Sequence, residues 1–366
     1  MASSVAIIGT RGYPSYYGGF ETAVRKLAPF LAGEGWDVTV YGRSGSTKTD
    51  DPERDARVRT EVTRGIESKS LSTLSYGLTA SIHAARTKPD VALVMNVANG
   101  FFLPLLKARG IKTLVNVDGI EWDRAKWGRL AKFIFKTGAR MTAWFADDLV
   151  FDSREIERRW NTEFRREGVF IPYGGDVPPD LPVEPGLTHR GYVLAVARFV
   201  PENTIPEFLD AAEVIAEKYP VVIVGSSGYG GPLDEQARLL AERNPNVHAL
   251  GHISDDARLL ALWQHAGVYF HGHSVGGTNP TLVQAMATGT PIVARATVYN
   301  REVLGNGAHF CEPNAASIAE AVCALMAEPE QQQAASTQAA RRAGESYTWQ
   351  GVNGAYLDAL RRLSVA

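Results

Sequence analysis

The sequence predicts an α/β protein of two doubly wound, Rossmann-like domains facing each other across a cleft, and three observations carry that reading. The chain has 366 residues, room for about two domains at the usual ~150 residues each. Short apolar runs alternate with helical patterns along its whole length. A proline-rich stretch, Val177–Gly186, parts those runs into two series, because proline joins neither a sheet ladder nor a helix interior.

The first series reads as strands at Val5–Ile8, Val38–Tyr41, Val91–Met95, Thr113–Val117, Leu149–Phe151 and Val169–Pro172, each followed by a turn or a helix. The second reads as strands at Tyr192–Ala197, Val221–Val224, Val247–Leu250, Val268–His271, Pro291–Ala294 and His309–Cys311. The expected organisation is therefore a first domain over 1–176, a linker over 177–190 and a second domain over 191–346. Residues 347–366 form a helix with Trp349, Val352, Tyr356, Leu360 and Leu363 on one face. Packing back on the first domain is one arrangement for it, and packing on the second is the other. Ser44–Thr63, rich in Ser, Thr, Asp and Arg, reads as a mobile loop.

Composition narrows the function. Hydrophobic residues at 45% and charged residues at 21% exclude a disordered or fibrous chain. A net charge of −2, with +3 on residues 1–185 and −5 on the rest, argues against a nucleic-acid binder. Two cysteines, Cys311 and Cys323, make neither a disulfide framework nor a four-ligand zinc site, which fits a reducing compartment. The first residues lack the basic flank and long apolar region of a signal peptide, and Val91–Leu106 is too short and too interrupted to span a bilayer. A cytoplasmic location is expected, or one on the cytosolic face of a membrane.

Four motifs hold candidate chemistry. In Ile8-Gly-Thr-Arg-Gly-Tyr-Pro-Ser-Tyr-Tyr-Gly-Gly-Phe-Glu-Thr22, Gly18 and Gly19 precede a helix whose N–H groups an anion can reach; a merely tight strand–helix turn reads the same way. In His271-Gly-His-Ser-Val-Gly-Gly-Thr-Asn-Pro280, a strand ends, Gly276 and Gly277 follow, and Thr278 or Asn279 caps a helix starting at Pro280. Thr281 and Gln284 on that helix are expected to face the cleft. His271 and His273 have no Cys, Asp or Glu nearby to complete a metal site, so no metal is expected.

Arg198 follows a buried strand, where a guanidinium can hold a diphosphate and steady it as a leaving group; an interdomain salt bridge is the plainer account. In Asn116-Val-Asp118-Gly-Ile-Glu121-Trp-Asp-Arg-Ala-Lys-Trp127, Asp118 ends a strand and reads as an acceptor-side carboxylate or a helix cap, with Glu121 beside it. The next helix is expected to turn Trp127, Leu130, Ile134, Met141 and Phe145 to one face. Its stripe of Arg129, Lys132, Lys136 and Arg140 is either a solvated face or a contact for anionic lipid headgroups.

Two other chemistries are disfavoured. Gly272-His-Ser274-Val-Gly276 fits a hydrolase elbow, with Glu302 and His309 following in triad order, but the helix opens six residues too late. The amino-terminal glycines do not follow G-x-G-x-x-G, and Tyr41-Gly-Arg43 supplies no acidic residue, which counts against a dinucleotide oxidoreductase.

Together the motifs resemble the retaining glycosyltransferases of family 4, of GT-B architecture. Within them, Gly9-Thr-Arg-Gly-Tyr-Pro14 with Tyr17-Gly-Gly-Phe-Glu-Thr22, Asp118–Trp127, Pro201-Glu-Asn203 and Gly276–Pro280 resemble a bacterial branch rich in rhamnosyltransferases. The resemblance runs over nearly the whole chain. It implies that the first domain takes the acceptor and the second a nucleotide-diphosphate sugar. Gly18 and Gly19 would approach the diphosphate, Arg198 would neutralise it, and Gly276, Gly277, Thr278 and Asn279 would contact sugar and phosphate. Asp118 stands where many family members have a cleft histidine, and Glu302 at an acidic position on the nucleotide side. The family needs no metal and no cofactor beyond the sugar nucleotide, and its members retain configuration through front-face attack.

This sequence departs from the family in three places. Two glutamates with seven residues between them are replaced by Gly276 and Gln284, and the lysine that partners the arginine is replaced by Asn203. Gln284 keeps hydrogen-bonding capacity for a ribose without charge assistance. The expected function is transfer of a sugar, such as the 6-deoxyhexose L-rhamnose, from a nucleoside diphosphate to a glycan, lipid-linked or small-molecule acceptor. The alternatives are a degenerate GT-B subunit that binds nucleotide sugars or serves in assembly, and a nucleotide-sugar epimerase or hydrolase. The base (thymidine, uridine or guanosine) stays open.

Overall fold

The computed structural model describes residues 2–16, 18–48, 50–67, 72–124, 127–228 and 230–365. Tyr17 of the first motif, Thr49 of the Ser44–Thr63 stretch, and Ala125 and Lys126 of the Asp118–Trp127 motif lie outside the described residues. The chain forms two compact units, residues 1–172 with 349–366, and residues 173–348.

Unit 1 holds β1 (Ser4–Ile8), α1 (Gly19–Gly33), β2 (Asp37–Arg43), β3 (Arg59–Thr63), α2 (Ser72–Thr87), β4 (Val91–Met95), α3 (Leu103–Ala108), β5 (Lys112–Asn116), α4 (Arg129–Phe145), β6 (Asp148–Phe151), α5 (Arg154–Phe164) and β7 (Val169–Phe170). Its seven strands are all parallel in the order β3-β2-β1-β4-β5-β6-β7. Val5, Ile7, Val38, Val91, Leu93 and Leu114 are buried in its core, as strands covered on both faces require.

Unit 2 holds β8 (Val193–Val196), α6 (Ile205–Ile215), β9 (Val221–Val224), α7 (Pro232–Arg243), β10 (Val247–Gly251), α8 (Asp256–His265), β11 (Val268–His271), α9 (Pro280–Ala287), β12 (Ile292–Arg295), α10 (Val298–Leu304), β13 (His309–Cys311), α11 (Ala315–Met326) and α12 (Pro329–Ser346). Its six parallel strands run β10-β9-β8-β11-β12-β13. The last helix, α13 (Trp349–Val365), belongs to unit 1, where Val352, Tyr356, Leu357 and Leu360 join the β1–β2–β4 core.

Both sheets have the doubly wound order, which reverses direction between β1 and β4 in unit 1 and between β8 and β11 in unit 2. Loops beyond the carboxyl ends of the strands at such a reversal part to opposite faces and leave a crevice for ligands.

Three expectations are corrected. The Ser44–Thr63 stretch is not loop throughout, since Arg59–Thr63 adds β3 in parallel register to β2. Its polar sequence hides it because an edge strand needs no continuous apolar run. The proline stretch within 177–190 is no free linker. The Leu181 N–H donates to Gln264 Oε1 at 2.9 Å, Glu184 pairs with Arg258 at 2.6 Å, and Arg190 donates to the Ala266 carbonyl at 2.7 Å, all within unit 2. Leu130 of α4 points outward, 74% exposed, while Gly138, Ala139, Thr142 and Ala143 form the buried face. A Cβ on Gly138 would stand 2.4 Å from the Val97 carbonyl oxygen, so α4 packs closely through small residues and turns Leu130, Phe133 and Trp144 outward.

Candidate functional site

In unit 2 the loops after β8, β11 and β12 meet beyond the strand ends. Arg198 lies one residue past Ala197, exposed, with no hydrogen bond or ion pair to its guanidinium among the described residues. Its carbonyl accepts from Asn203 Nδ2 at 2.9 Å, and Asn203 is buried. Asn203, expected as a donor ligand, is thus committed to holding the Arg198 loop.

Thr204 follows with left-handed backbone, φ 58°, and its hydroxyl donates to the Gly272 carbonyl at 2.5 Å. Arg295 reaches back from β12 to the Thr204 hydroxyl at 3.0 Å. The Asn300 amide donates to the carbonyls of His273 and Arg295 at 3.0 and 2.9 Å.

Within this lacework, Asn279 caps α9, accepting from the Thr281 N–H at 3.0 Å and the Thr281 hydroxyl at 2.8 Å. The first turn of α9 is therefore satisfied internally. Among the described residues the N–H groups of Gly276 and Gly277 have no protein partner, and Gly276 requires glycine because its φ is 104°. Thr278 is buried beside them.

His271 is fully buried, and its ring stacks on His273 with centroids 4.5 Å apart. Burial, reinforced by the charge of His273, pushes its pKa well below the ordinary value, so it is neutral. Its Nδ1 lies 3.0 Å from the Tyr269 hydroxyl. Among the described residues no group of three or more His, Cys, Asp and Glu side chains is placed to hold a metal ion.

Gln284 is placed differently from expectation. Both ends of the Gln284 amide bind the backbone of Asp176, Oε1 accepting from its N–H at 3.0 Å and Nε2 donating to its carbonyl at 2.7 Å. Gln284 thus clamps the start of unit 2 rather than standing free for a ribose. The Ser274 hydroxyl donates to the Glu202 carbonyl at 2.6 Å, and α9 opens only at Pro280, so no nucleophile elbow forms. Glu302 is half-buried on α10, where its carbonyl accepts from Arg342 at 2.8 Å.

In unit 1 the reversal point is occupied by the ends of β1, β4 and β5. Asp118 has left-handed backbone, φ 62°, and is half-buried. Its N–H donates to Asn116 Oδ1 at 3.0 Å, and its carboxylate accepts from Asn96 Nδ2 at 2.9 Å. Burial raises its pKa, and the neighbouring Glu121 carboxylate raises it further. Asp118 is not a helix cap, since the next turn, Glu121–Asp123, is led by Ile120.

Glu121 is buried and spoken for, with Oε1 on Arg124 at 2.5 Å and Oε2 accepting from Trp127 Nε1 at 2.7 Å. It braces its own loop instead of facing an acceptor.

Gly18 and Gly19 stand at the start of α1 as expected, but a buried carboxylate is already there. Glu21, in the first turn, accepts from the Arg11 N–H at 3.0 Å, with Oε2 3.4 Å from where a Gly18 Cβ would be. A diphosphate at this helix start would meet resident negative charge in the favourable field of the dipole.

The structural roles of Asn96, Arg43 and Tyr356 escaped the sequence reading. Asn96 caps the turn after β4 with φ 70° and ψ 135°, a backbone that glycine adopts far more freely than other residues; an Asn ending a buried strand was the available signal. Tyr356 of α13 accepts from Asn116 Nδ2 at 2.8 Å, a contact spanning 240 residues that no local pattern announces.

Residues 18–174 match the glycosyl transferase 4-like domain and residues 183–342 match glycosyl transferases group 1. The chain is 34% identical over 163 residues to the phosphatidyl-myo-inositol mannosyltransferase of Mycolicibacterium smegmatis, a match covering 42% of this chain and 41% of that protein. Among solved structures it resembles sucrose-phosphate synthase from Thermosynechococcus elongatus, with TM-score 0.79, 19% identity and 99% of each chain covered. It also resembles HepE of Anabaena, solved in complex with UDP and glucose, with TM-score 0.77, 14% identity and coverage of 99% and 100%. These likenesses and the two sheet orders give the chain the GT-B fold.

Proposed function

We propose, for a chain built of a glycosyl transferase 4-like domain and a glycosyl transferases group 1 domain, that it transfers a sugar from a nucleoside diphosphate to a hydroxyl acceptor. The reading rests above all on Arg198, an exposed guanidinium two residues past β8 with no partner among the described residues, and on the N–H groups of Gly276 and Gly277 after the adjacent strand β11, likewise unpartnered among them. Donors of this kind, fixed before the reaction, stabilise the charge that gathers on a departing diphosphate. The loop contacts through Asn203, Thr204 and Asn300 hold that arrangement in place. No resident metal is required when cation and N–H groups take the charge.

Unit 1 takes the acceptor in this reading, with the Asp118 carboxyl, oriented by Asn96, contacting its hydroxyl. A 6-deoxyhexose such as L-rhamnose is the proposed sugar, on the resemblance of Gly9–Pro14, Asp118–Trp127 and Gly276–Pro280 to the rhamnosyltransferase branch. Incubation with dTDP-rhamnose, UDP-glucose and GDP-mannose, each with and without a glycan or lipid-linked acceptor, tests the reading. Release of nucleoside diphosphate that depends on the acceptor supports transfer. Release without an acceptor points to hydrolysis, and binding without turnover to the degenerate subunit.

A peripheral contact with anionic lipid is a second proposal, supported by α4. Leu130, Phe133 and Trp144 are 74%, 64% and 69% exposed, and Arg129 and Arg140 are exposed beside them. Lys136 leaves the expected four-cation stripe, because Glu163 holds it at 2.8 Å. Apolar side chains flanked by cations suit a headgroup boundary on the cytosolic face. No helix among the described residues is long and apolar enough to cross a membrane. Sedimentation with phosphatidylglycerol vesicles should carry the wild type down and leave Phe133→Ser with Trp144→Ser in solution; equal recovery of both would remove the proposal.

A further inference from the structure

Arg43 closes β2 with only 6% of its surface exposed. Its guanidinium lies over the Tyr76 ring, 5.0 Å from the centroid. Nε is sealed from solvent without a hydrogen-bond partner, and no carboxylate among the described residues pairs with the group. Burial lowers its pKa and Arg11 pushes the same way, against opposing contributions from Glu67, Glu21 and Tyr76.

The surroundings are built rather than incidental. The Arg43 N–H donates to the Arg11 carbonyl at 3.0 Å, and the Thr47 hydroxyl reaches the carbonyls of Arg11 and Arg43 at 3.2 and 3.3 Å. These bonds lash the β1–α1 loop to the end of β2. A cavity of about 10 Å³ opens there beyond the carboxyl ends of β1, β2 and β3, lined by Gly9, Thr10, Gly42, Arg43, Thr63 and Tyr76. That is space for roughly one water molecule, or one oxygen atom of a larger group.

A buried cation without a counter-charge is costly, and an anion that completes it removes the cost. We propose that Arg43 is an anion seat for the acceptor: one oxygen of a phosphate or carboxylate group enters the cavity and accepts from the guanidinium, so that the acceptor of this chain carries a negative charge. The planar guanidinium fork suits either group, and a neutral sugar would leave the charge unpaired. The assignment to the acceptor rests on the transferase reading, in which unit 1 takes the acceptor; the anion seat itself does not.

The test saturates the full chain with the nucleoside diphosphate it binds, which fills the donor's own anion site. Calorimetric titration with inorganic phosphate and, separately, with glucuronate then reads the second site. At least one is expected to bind the wild type and to bind Arg43→Met about tenfold or more weakly, with nucleotide affinity unchanged within about twofold. Phosphate alone binding identifies a phosphorylated acceptor, and glucuronate alone an acidic sugar. Binding of neither, or equal binding to Arg43→Met, overturns the proposal. Wild-type crystals soaked in tungstate give a reading that needs neither a folded variant nor a nucleotide. An anomalous peak against the Arg43 guanidinium is expected, and an empty cavity contradicts the seat even if the transferase reading stands.

Discussion

The Asn96 amide donates to the Asp118 carboxylate across 2.9 Å, and both residues hold left-handed backbone, with φ of 70° and 62°. Two non-glycine residues in that region, facing each other beyond adjacent parallel strands, are strained on both sides of one hydrogen bond. Such strain persists where the surroundings over-determine it, here through Asn116 and Tyr356 beneath.

The sign of the Asp118 shift gives the first prediction. Burial and then Glu121 raise its pKa, so the native state binds a proton that the unfolded state has released. The charged carboxylate costs stability as pH rises through the native pKa, and costs nothing below the unfolded value near ~4. Asp118→Asn should melt above the wild type at about pH 7.5 and level with it at about pH 3.5, while transfer falls by about 10²–10⁴-fold. Thermal melts at both pH values check it; the same gap at both would show that the carboxyl is not held up.

Asn96 separates strain from bonding. Asn96→Gly removes the hydrogen bond and relieves the backbone, whereas Asn96→Ala removes the bond and keeps the strain. The alanine variant should be less stable than the glycine variant by about 1 kcal/mol. Both should lose activity to a similar degree, since both release the Asp118 carboxylate. Urea unfolding and initial rates measured on the pair decide it.

Gln284 distinguishes a structural clamp from a ribose ligand. Truncation to Gln284→Ala leaves the Asp176 N–H and carbonyl without their partners. Unit 2 should lose about 1–3 kcal/mol of stability while nucleotide affinity stays close to wild type. A large fall in affinity with an unchanged melt would restore the ribose role.

Tyr356→Phe should cost about 1–3 kcal/mol, because the buried Asn116 amide loses its acceptor. The loss should appear in the unfolding of unit 1, read by denaturant titration. An unchanged midpoint would mean that Asn116 finds another acceptor.

Much of the fold is legible in the sequence because buried parallel strands announce themselves as apolar runs. Val91–Met95, Val221–Val224 and Val268–His271 run as read, end to end. β3 is the strand without such a run, its Arg59 and Val62 exposed at the sheet edge. In the site, position is legible and commitment is not. Arg198, Gly276 and Asp118 fall at strand ends beside the two reversal points, as strand-then-glycine patterns suggest. Whether a polar side chain faces a ligand or its own backbone depends on long-range partners. Gln284 meets Asp176, Asn203 meets the Arg198 carbonyl, and Glu121 meets Arg124 and Trp127. The buried Arg43 is hidden for the same reason, since an arginine after a strand reads as solvated until its neighbours are known.

The central claim is that unit 2 binds a nucleoside diphosphate through Arg198. Isothermal titration of the wild type and Arg198→Ala with UDP, GDP and dTDP tests it most directly. One of the three should bind the wild type, and loss of a charge-assisted contact of about 1.5–3 kcal/mol should weaken it by roughly 10–100-fold. The melting temperature should hold, because the Arg198 side chain is exposed and touches nothing it would leave unpaired. Binding of none of the three, or equal affinity in Arg198→Ala, would contradict the account.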